Sequence, residues 1–405
     1  MMHLLFSRVN IKHTMKIILF DDKSWGTLRP LTFTRPISEL RVGILTIREK
    51  WEKRFGDKVA YLTKDYLQEK FPLSVEDDNL LINGSVCPND DLLQKIKSLQ
   101  AGEMLLQGDC LIAVRMGRQD VATFDPIALP KFERKEYEGV FTRIVYPYHV
   151  FSFNGQELEV DFQLLTKGRE SAPLSGSVQV YGRYPVFVEE GAVVRGAVIN
   201  TDGGPVYIGK DAEIMEGVLI RGPLAMCEHS MLTMGAKVYG ATTLGPYCKC
   251  GGEVNNVVMI GYSNKAHDGF LGNSVLGEWC NIGAGTNNSN LKNTYVEVKL
   301  WDYETKHFCR TGLQFCGLIM GDHAKLGIST MINTGTVIGV GTNVFGSDFP
   351  RNFIPSFSWG GASGFTEHKM AQFVSTAEAV MKRRNKVFDD VERRILEHVF
   401  ADPER

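Results

Sequence analysis

Side chains that could carry out chemistry are concentrated between residues 251 and 293, in the stretch "GGEVNNVVMIGYSNKAHDGFLGNSVLGEWCNIGAGTNNSNLKN". His267 lies there among glycines and asparagines, where an imidazole could face a groove. A neutral imidazole near pH 7 can remove a proton from an attacking amine, and backbone N–H groups of glycine-rich turns can hold an oxyanion. These residue types favour acyl transfer to an amine with His267 as the base, although a single histidine is more often a structural residue.

A second stretch, "GTLRPLTFTRP" at residues 26–36, follows the apolar run "MKIILFDD". A glycine-threonine turn with arginines and prolines directly after a buried strand is typical of a loop that holds a phosphate. The alternative is that its arginines belong to a solvated or salt-bridged loop. The sequence leaves open whether this loop carries out phosphate chemistry or only keeps the shape.

The elements that would position the second stretch alternate along residues 15–170. "KIILFD" and "VAYLT" indicate buried strands, whereas "ILTIREKWEKRF" and "DDLLQKIKSLQ" indicate amphipathic helices. This alternation predicts an α/β sheet whose ligands bind at the carboxyl ends of the strands. The run "KGRESAPLSGS" indicates a linker after this domain. Residues 1–14 are expected to be a poorly ordered extension.

The element that would position His267 is a different kind of structure, expected over residues 178–360. An aliphatic residue returns about every six positions there, at Val186, Ala192, Val198, Val206, Ala212, Val218 and Ala225. This periodicity predicts a parallel β-helix in which the aliphatic residue points into the coil and Gly, Asn or Asp turns the corners. A glycine-rich sandwich would instead alternate with a period of two. Residues 365–405 are predicted to form amphipathic helices that cover the β-helix or a neighbouring subunit.

Composition excludes several classes of function. The net charge of −2 gives no reason to expect nucleic-acid or membrane binding. The 8 cysteines show no metal-binding spacing, which favours reduced thiols in a cytoplasmic protein. No apolar run has the length of a transmembrane helix or the form of a signal peptide.

The stretch "AHDGFLGNSVLGEWCNIGAGT" resembles the acetyltransferase domain of the bifunctional enzymes that make UDP-N-acetylglucosamine. The whole chain is similar to these enzymes in plan, and is closest to their alternate bacterial form, which shares "GGEV" and "GEWCNxGAGTNNSNLKN". The resemblance implies a Rossmann-like nucleotidyltransferase domain followed by a left-handed β-helix. It also implies a homotrimer that binds acetyl-CoA between coils of neighbouring subunits.

Matched position by position, the resemblance makes His267 the catalytic base and Asn281 a ligand of the sugar phosphate. It places Ala284 and Asn290 in the acetyl-CoA site, and Glu253 on a glutamate of the family. Two positions depart from the family pattern: Phe270 replaces a tyrosine and Asn255 replaces a phosphate-binding lysine. Lys265 and Lys299 are candidates to supply the missing charge.

The N-terminal loop resembles the family's phosphate loop and departs from it in the same way. The loop keeps Thr27 but lacks the arginine that should follow it, and Ile37 stands at the position of the family's lysine. Arg29 and Arg35, with Arg41, are candidates to replace these charges, and Asn83 is a further candidate for substrate binding.

The strand "LLINGSVCPND" carries Ser85 at the position of the family's Mg²⁺-binding aspartate. A carboxylate binds a hard divalent ion far better than a hydroxyl does. The candidates to replace it stay open and are Asp21, Asp22, Asp90 and Asp109.

The prediction is a two-domain transferase of sugar-nucleotide biosynthesis. Acetyl-CoA would acetylate glucosamine-1-phosphate, and the product would react with UTP in the presence of Mg²⁺. Three alternatives remain. The N-terminal domain could have another specificity, such as dTTP with glucose-1-phosphate, or it could bind a sugar nucleotide without turnover. The whole chain could also be a non-catalytic regulatory subunit.

Overall fold

The computed structural model describes residues 15–126, 128 and 131–405. The extension expected at residues 1–14 lies outside these described residues. The described chain comprises an α/β domain, a parallel β-solenoid and C-terminal helices, which confirms the predicted fold class.

A mixed sheet forms the centre of the N-terminal domain, with the strand order β2-β1-β3-β5-β4-β6. Its strands are β1 (Lys16–Phe20), β2 (Ala60–Leu62), β3 (Asp78–Asn83), β4 (Glu103–Gln107), β5 (Cys110–Gly117) and β6 (Glu133–Glu136). Strands β2, β1 and β3 are parallel, but β5 runs antiparallel to both of its neighbours. The sheet therefore departs from an all-parallel Rossmann sheet, because the two-residue turn at Gly108 and Asp109 is too short for a parallel connection.

Helices connect these strands and lead to the solenoid. They are α1 (Ser24–Thr27), α2 (Ile47–Phe55), α3 (Asp90–Lys97), α4 (Arg118–Val121), α5 (Pro147–Ser152) and α6 (Asn154–Thr166), with 3-10 turns at Ile37–Glu39 and Asp65–Leu67. Helix α2 begins with a capping box between Thr46 and Glu49 and ends at Gly56, whose φ is +76°. Local sequence signals therefore account for both ends of α2.

The solenoid has three faces that the chain visits in turn. The first face contains Gln179–Tyr181, Val198–Asn200, Leu219–Arg221, Lys237–Tyr239, Asn287–Asn288 and Met331–Ile332. The second contains Val186–Val188, Val206–Ile208, Leu224–Met226, Thr242–Leu244, Leu318–Met320, Thr336–Ile338 and Phe353–Ile354. The third contains Val193–Val194, Glu213–Ile214, Met231–Leu232, Lys249–Cys250, Asn264–Lys265, Asn281–Ile282, Lys325–Leu326, Asn343–Val344 and Ser358–Gly361.

Two longer strands, Glu253–Gly261 and Phe270–Glu278, pass from the first face to the second. An antiparallel hairpin of Lys299–Asp302 and His307–Arg310 projects between two coils, and Gly364–Glu367 pairs antiparallel with the last strand of the third face.

Most of the sixfold aliphatic positions fill the solenoid as predicted, but two do not. Val206, Ala212 and Val218 lie in its core. Val198 is only half-buried, and its neighbour Ile199 fills the core instead. Ala225 is buried but packs outward against the N-terminal domain. The N-terminal domain covers the second face, so the outward positions of this face are apolar as well. The sixfold spacing of apolar residues therefore does not distinguish inward from outward positions there.

The corner between the second and third faces differs from the prediction of Gly, Asn or Asp. It is turned in several coils by bulky residues with φ between 53° and 61°, namely His229, Tyr247, Tyr262, Trp279 and His323. These rings stack in sequence along the corner, with centroids 4.3 to 6.2 Å apart. Stacking against the rings of adjacent coils contributes about 0.5–1.5 kcal/mol per pair, which offsets the strained backbone.

The N-terminal domain packs on the second face of the solenoid and shares one apolar core with it. Leu31 and Phe33 of the phosphate-loop region belong to the same buried cluster as Val275 and Val337 of the solenoid. The C-terminal helices α7 (Met370–Lys382) and α8 (Asp390–Ala401) contribute to this cluster as well. None of the helices in the described part of the chain is long and apolar enough to cross a membrane.

Candidate functional site

His267 lies at the corner where the third face turns into the first, and its side chain is exposed. Lys265 fixes the backbone of this corner from inside the solenoid. This lysine is 1% exposed, and its Nζ donates to the His267 carbonyl at 2.6 Å. Burial lowers the pKa of the Lys265 amine. The structure therefore does not bring Lys265 to the surface as a substrate ligand; the lysine positions the main chain that carries His267.

The next coil stacks directly on this corner and carries Ala284. The Gly285 N–H donates to the Asp268 carbonyl at 2.9 Å, and the Ser329 N–H donates to the Ala284 carbonyl at 2.7 Å. Beside Ser329, Ile328 is 76% exposed. Ala284 and His267 are thus brought together on one corner, next to an exposed apolar side chain.

Asn281 lies on the third face and is bonded to the coil that carries His267. The Asn264 Nδ2 donates to the Asn281 Oδ1 at 2.9 Å. Asn264 is three residues before His267, so their Cα atoms are at most about 11 Å apart. Asn281 and Asn264 both line a cavity of about 390 Å³, whose other lining residues are Lys249, Tyr262, Trp279, Cys280, Lys325, Val380, Arg383 and Arg384. Sequence reasoning missed this cavity because its arginines follow α7, far from the motif.

Glu253 and Asn290 lie on the other side of the corner. Glu253 begins a strand of the first face and accepts a hydrogen bond from the Tyr239 hydroxyl at 2.6 Å. The Asn290 Nδ2 donates to the Asn273 Oδ1 at 2.8 Å, on the far edge of the same face. The residues carried over from the resemblance therefore divide between two faces that meet at His267.

Lys299 lies apart from this group. It belongs to the projecting hairpin and lines a different cavity of about 410 Å³, together with Lys292, Phe308, Asn333, Thr334 and Asn352. The structure does not place Lys299 with His267.

A second polar cluster lies at the carboxyl ends of β1 and β3. Asp22 accepts hydrogen bonds from the Asn83 Nδ2 at 2.9 Å, from Arg143 at 2.6 Å and from the Ser24 N–H at 2.8 Å. Although burial acts to raise it, the hydrogen bond from Asn83 and the charge of Arg143 hold the pKa of Asp22 below its usual value. Ser85 donates to the Asn83 Oδ1 at 2.7 Å. Arg143 was not anticipated from the sequence because no motif marks it.

This cluster does not fit a Mg²⁺ ion in the arrangement observed. Both oxygens of Asp22 are already engaged, one of them by a guanidinium. The carboxylate of Asp21 is engaged elsewhere, by the Thr63 hydroxyl and the Ile37 N–H, and burial raises its pKa to about 7. Across the described ranges, no group of three or more His, Cys, Asp or Glu side chains could hold a metal ion. Asp90 and Asp109 are exposed and lie outside this cluster.

The phosphate-loop arginines are paired with carboxylates of the solenoid. Arg29 is 6% exposed and donates to Glu304 of the hairpin at 2.6 Å. Arg35 is 4% exposed and donates to both oxygens of Asp322, at 3.0 and 2.5 Å, and lies 3.1 Å from Glu278. The structure thus places both guanidinium groups in ion pairs between the two domains, which is the salt-bridged alternative weighed for this loop.

Thr27 and Arg41 are likewise engaged inside the protein. The Thr27 hydroxyl donates to the Val145 carbonyl at 2.5 Å. Arg41 donates to the carbonyls of Ile44 and Ile260. A cavity of about 210 Å³ is lined by four cations and three glutamates, so its charge is largely balanced. The cations are Arg35, Arg41, Arg48 and Lys70, and the glutamates are Glu39, Glu49 and Glu278.

Comparison with known proteins places these features in context. Residues 17–170 match the family model described as "Sugar nucleotidyl transferase". The chain is 29% identical over 212 residues to the Sulfurisphaera tokodaii protein named "Bifunctional sugar-1-phosphate nucleotidylyltransferase/acetyltransferase", a match that covers 52% of this chain and 46% of that protein.

Two further relatives are named "Bifunctional protein GlmU". The one from Methanocaldococcus jannaschii is 28% identical over 155 residues, covering 38% of this chain and 35% of that protein. The one from Synechococcus elongatus is 25% identical over 165 residues, covering 38% of this chain and 32% of that protein. The matched part is less than half the length of each relative. Residues 17–170 are thus similar to sugar nucleotidyl transferases, as the sequence predicted for the N-terminal domain.

Proposed function

We propose that this protein transfers an acetyl group from acetyl-CoA to the amine of an amino-sugar 1-phosphate, with His267 as the base. The observation that carries the proposal is the position of His267. Its side chain is exposed on a corner whose backbone Lys265 holds rigid, between the face that carries Asn281 and the face that carries Glu253 and Asn290.

Acetyl transfer requires three things of the protein: a general base, a binding site for the acetyl donor and a binding site for the acceptor. The His267 imidazole accepts the proton that the amine loses as its nitrogen attacks the thioester carbonyl. The C–S bond then breaks, and the imidazolium returns the proton to the sulfur, so that CoA leaves as its thiol. The exposed Ile328 and the small Ala284 offer an apolar strip beside it for the chain of the acetyl donor. Asn281 and Asn264 present amides that can bind hydroxyl or phosphate oxygens of the acceptor.

A homotrimer is part of the proposal. The predicted ligands lie on two faces of adjacent coils, so a single subunit does not enclose a substrate that touches both. Exposed apolar side chains flank the corner, since Met234 and Ile328 are 72% and 76% exposed. Exposed apolar surface beside a divided site is what a neighbouring subunit would cover.

Nucleotidyl transfer is the second function proposed, with UTP as the donor, or dTTP in the alternative specificity. Support comes from the match of residues 17–170 to sugar nucleotidyl transferases and from the polar cluster of Asp22, Asn83 and Arg143 at the strand ends. The arginines of the loop could contact a triphosphate only after leaving Glu304 and Asp322. The proposal that the N-terminal domain binds a sugar nucleotide without turnover therefore stands beside it.

Two assays on the purified full chain test these proposals. The first follows CoA release with acetyl-CoA and glucosamine-1-phosphate for wild type, His267→Ala and the control His307→Ala, which removes an exposed histidine of the hairpin. Loss of a general base costs about 10²–10⁴-fold in rate. We expect that loss for His267→Ala only, and no CoA release by wild type would refute acetyl transfer.

The second assay follows pyrophosphate release with UTP and N-acetylglucosamine-1-phosphate. Robust release would exclude an N-terminal domain that only binds its ligand. No release, combined with saturable UTP binding, would exclude nucleotidyl transfer and leave the binding role.

A further inference from the structure

The cavity of about 390 Å³ on the third face is surrounded by positive charge. We call it the basic cavity; its cationic lining residues are Lys249, Lys325, Arg383 and Arg384, and none of its described lining residues is an aspartate or glutamate. The whole chain carries a net charge of −2, so this concentration of one sign is local. A concave site lined by one sign of charge attracts a ligand of the opposite sign.

Three of these four cations lack a side-chain partner among the residues that the structure describes. In the described part of the chain, Lys249, Arg383 and Arg384 form no side-chain hydrogen bond and no ion pair. Lys325 donates only to the carbonyls of Trp279 and His323, at 2.8 and 3.0 Å. Arg29 and Arg35 of the phosphate loop differ from these cations, because each of them forms an ion pair with a carboxylate. The buried loop arginines are paired with carboxylates, whereas the cations of the cavity lie together without one among the described residues. These cations can therefore bind an anion from outside the protein.

One lysine that lines the cavity, Lys325, supports the binding of an anion there. Burial lowers the pKa of Lys325 to about 8, because the charged amine has little water around it. An anion bound beside it would stabilise the charged form. The wall beside this lysine is aromatic, with Tyr262 and Trp279 stacked at 4.3 Å.

We propose that the basic cavity binds a phosphate monoester, and that Arg383 and Arg384 are its principal contacts. The inference rests on the proposed acetyl transfer for the source of this group. The favoured source is the amino-sugar 1-phosphate, because Asn281 and Asn264 line the same cavity and His267 is three residues from Asn264. The cations after α7 would then supply the charge that Asn255 does not. The other source with the same chemistry is the 3′-phosphate of CoA.

Equilibrium binding to the full chain separates these cases. The probes are glucosamine-1-phosphate, unphosphorylated glucosamine and 3′,5′-ADP, and the variants are Arg383→Ala, Arg384→Ala and the control Lys382→Ala. Lys382 is an exposed cation at the end of α7 that does not line the cavity. A charge-assisted hydrogen bond to phosphate corresponds to roughly a tenfold or greater change in Kd.

We expect each arginine variant to weaken glucosamine-1-phosphate binding at least about tenfold, with glucosamine and the Lys382→Ala control unchanged. Weakening of 3′,5′-ADP instead would keep the phosphate site and assign it to CoA. Unchanged Kd values for both phosphorylated probes would overturn the inference. If His267→Ala loses CoA release while Arg384→Ala turns over normally, acetyl transfer is supported and phosphate binding in the basic cavity is refuted. If the arginines bind phosphate but wild type shows no turnover, phosphate binding is supported and acetyl transfer is refuted.

Discussion

Replacing Asp322 by asparagine removes the buried carboxylate that pairs with Arg35 across the contact between the two domains. Asp322 and Arg35 form a two-pronged pair at 3.0 and 2.5 Å, and each side chain is 5% exposed. Asp322 also accepts from the Thr34 hydroxyl at 2.7 Å and from the Glu278 N–H at 2.8 Å. Burial acts to raise the pKa of Asp322, but the Arg35 charge and these hydrogen bonds hold it below its usual value.

The magnitude follows from what each variant leaves behind. Breaking a buried ion pair by removing one partner costs about 3–5 kcal/mol in the free energy of unfolding, because the other charge is left without water or a counter-ion. Asp322→Asn should fall near the lower end, about 3 kcal/mol, because Glu278 remains 3.1 Å from Arg35. Arg35→Met leaves two carboxylates together and should cost about 3–5 kcal/mol. The double variant leaves Glu278 without Arg35, but it also removes the neighbouring Asp322 carboxylate, so its loss should be smaller than the sum by about 2 kcal/mol.

Urea denaturation of the full chain, followed by tryptophan fluorescence, measures all three free energies of unfolding. The control is Arg394→Met, which breaks an exposed pair between α8 and Glu69 and should cost less than about 1 kcal/mol. Losses for the single variants that add within about 0.5 kcal/mol in the double variant would refute the reasoning, since independent sites behave in that way.

Two further predictions concern the phosphate-loop region. Burial raises the pKa of Asp21 from 3.8 to about 7, so the folded carboxyl keeps a proton that the unfolded one loses, and stability falls as the pH rises between these values. The free energy of unfolding of Asp21→Asn should therefore rise relative to that of wild type over this pH range, by about 4 kcal/mol at pH 8. Urea denaturation that gives the same difference between the two proteins at pH 5 and at pH 8 would contradict this. Glu304→Gln removes the nearer of the two carboxylates beside Arg29, leaving Glu404 at 3.8 Å, and should tighten UTP binding roughly tenfold if Arg29 contacts the triphosphate. Isothermal titration that gives the same Kd for both proteins would show that Arg29 has only a structural role.

The overall fold could be predicted because its signals are local. Sixfold spacing places Val206 and Ala212 in the coil wherever the outer side is polar, and the capping box at Thr46 begins α2. Prediction failed at Ala225, where the outer side is covered by another domain and both sides of the strand are apolar. It also failed at the aromatic corner, because stacking between coils is a contact between residues 15 to 44 positions apart and has no local sequence signature.

The candidate sites divide along the same line. His267, Ala284 and Asn281 could be proposed from the sequence because they lie within one contiguous motif, and adjacent coils of a solenoid place such residues side by side. The partners of the loop arginines could not be found this way. Glu304 and Asp322 are 275 and 287 residues from Arg29 and Arg35, and no spacing rule connects them.

Whether a cationic side chain is already paired with a carboxylate decides how readily it can bind an anionic substrate. A buried guanidinium needs a partner, and the solenoid provides one for Arg29 and for Arg35. Moving Arg35 to a triphosphate would leave the buried Asp322 carboxylate behind in the interface, which costs several kcal/mol before any new contact forms. Releasing Arg29 costs less, because the side chain of Glu304 is half exposed. Arg383 and Arg384 carry no such cost, because neither has a carboxylate partner in the described part of the chain. An anion is therefore accommodated more readily on the third face of the solenoid than in the phosphate loop, although the loop is the part of the sequence that looks most like a phosphate site.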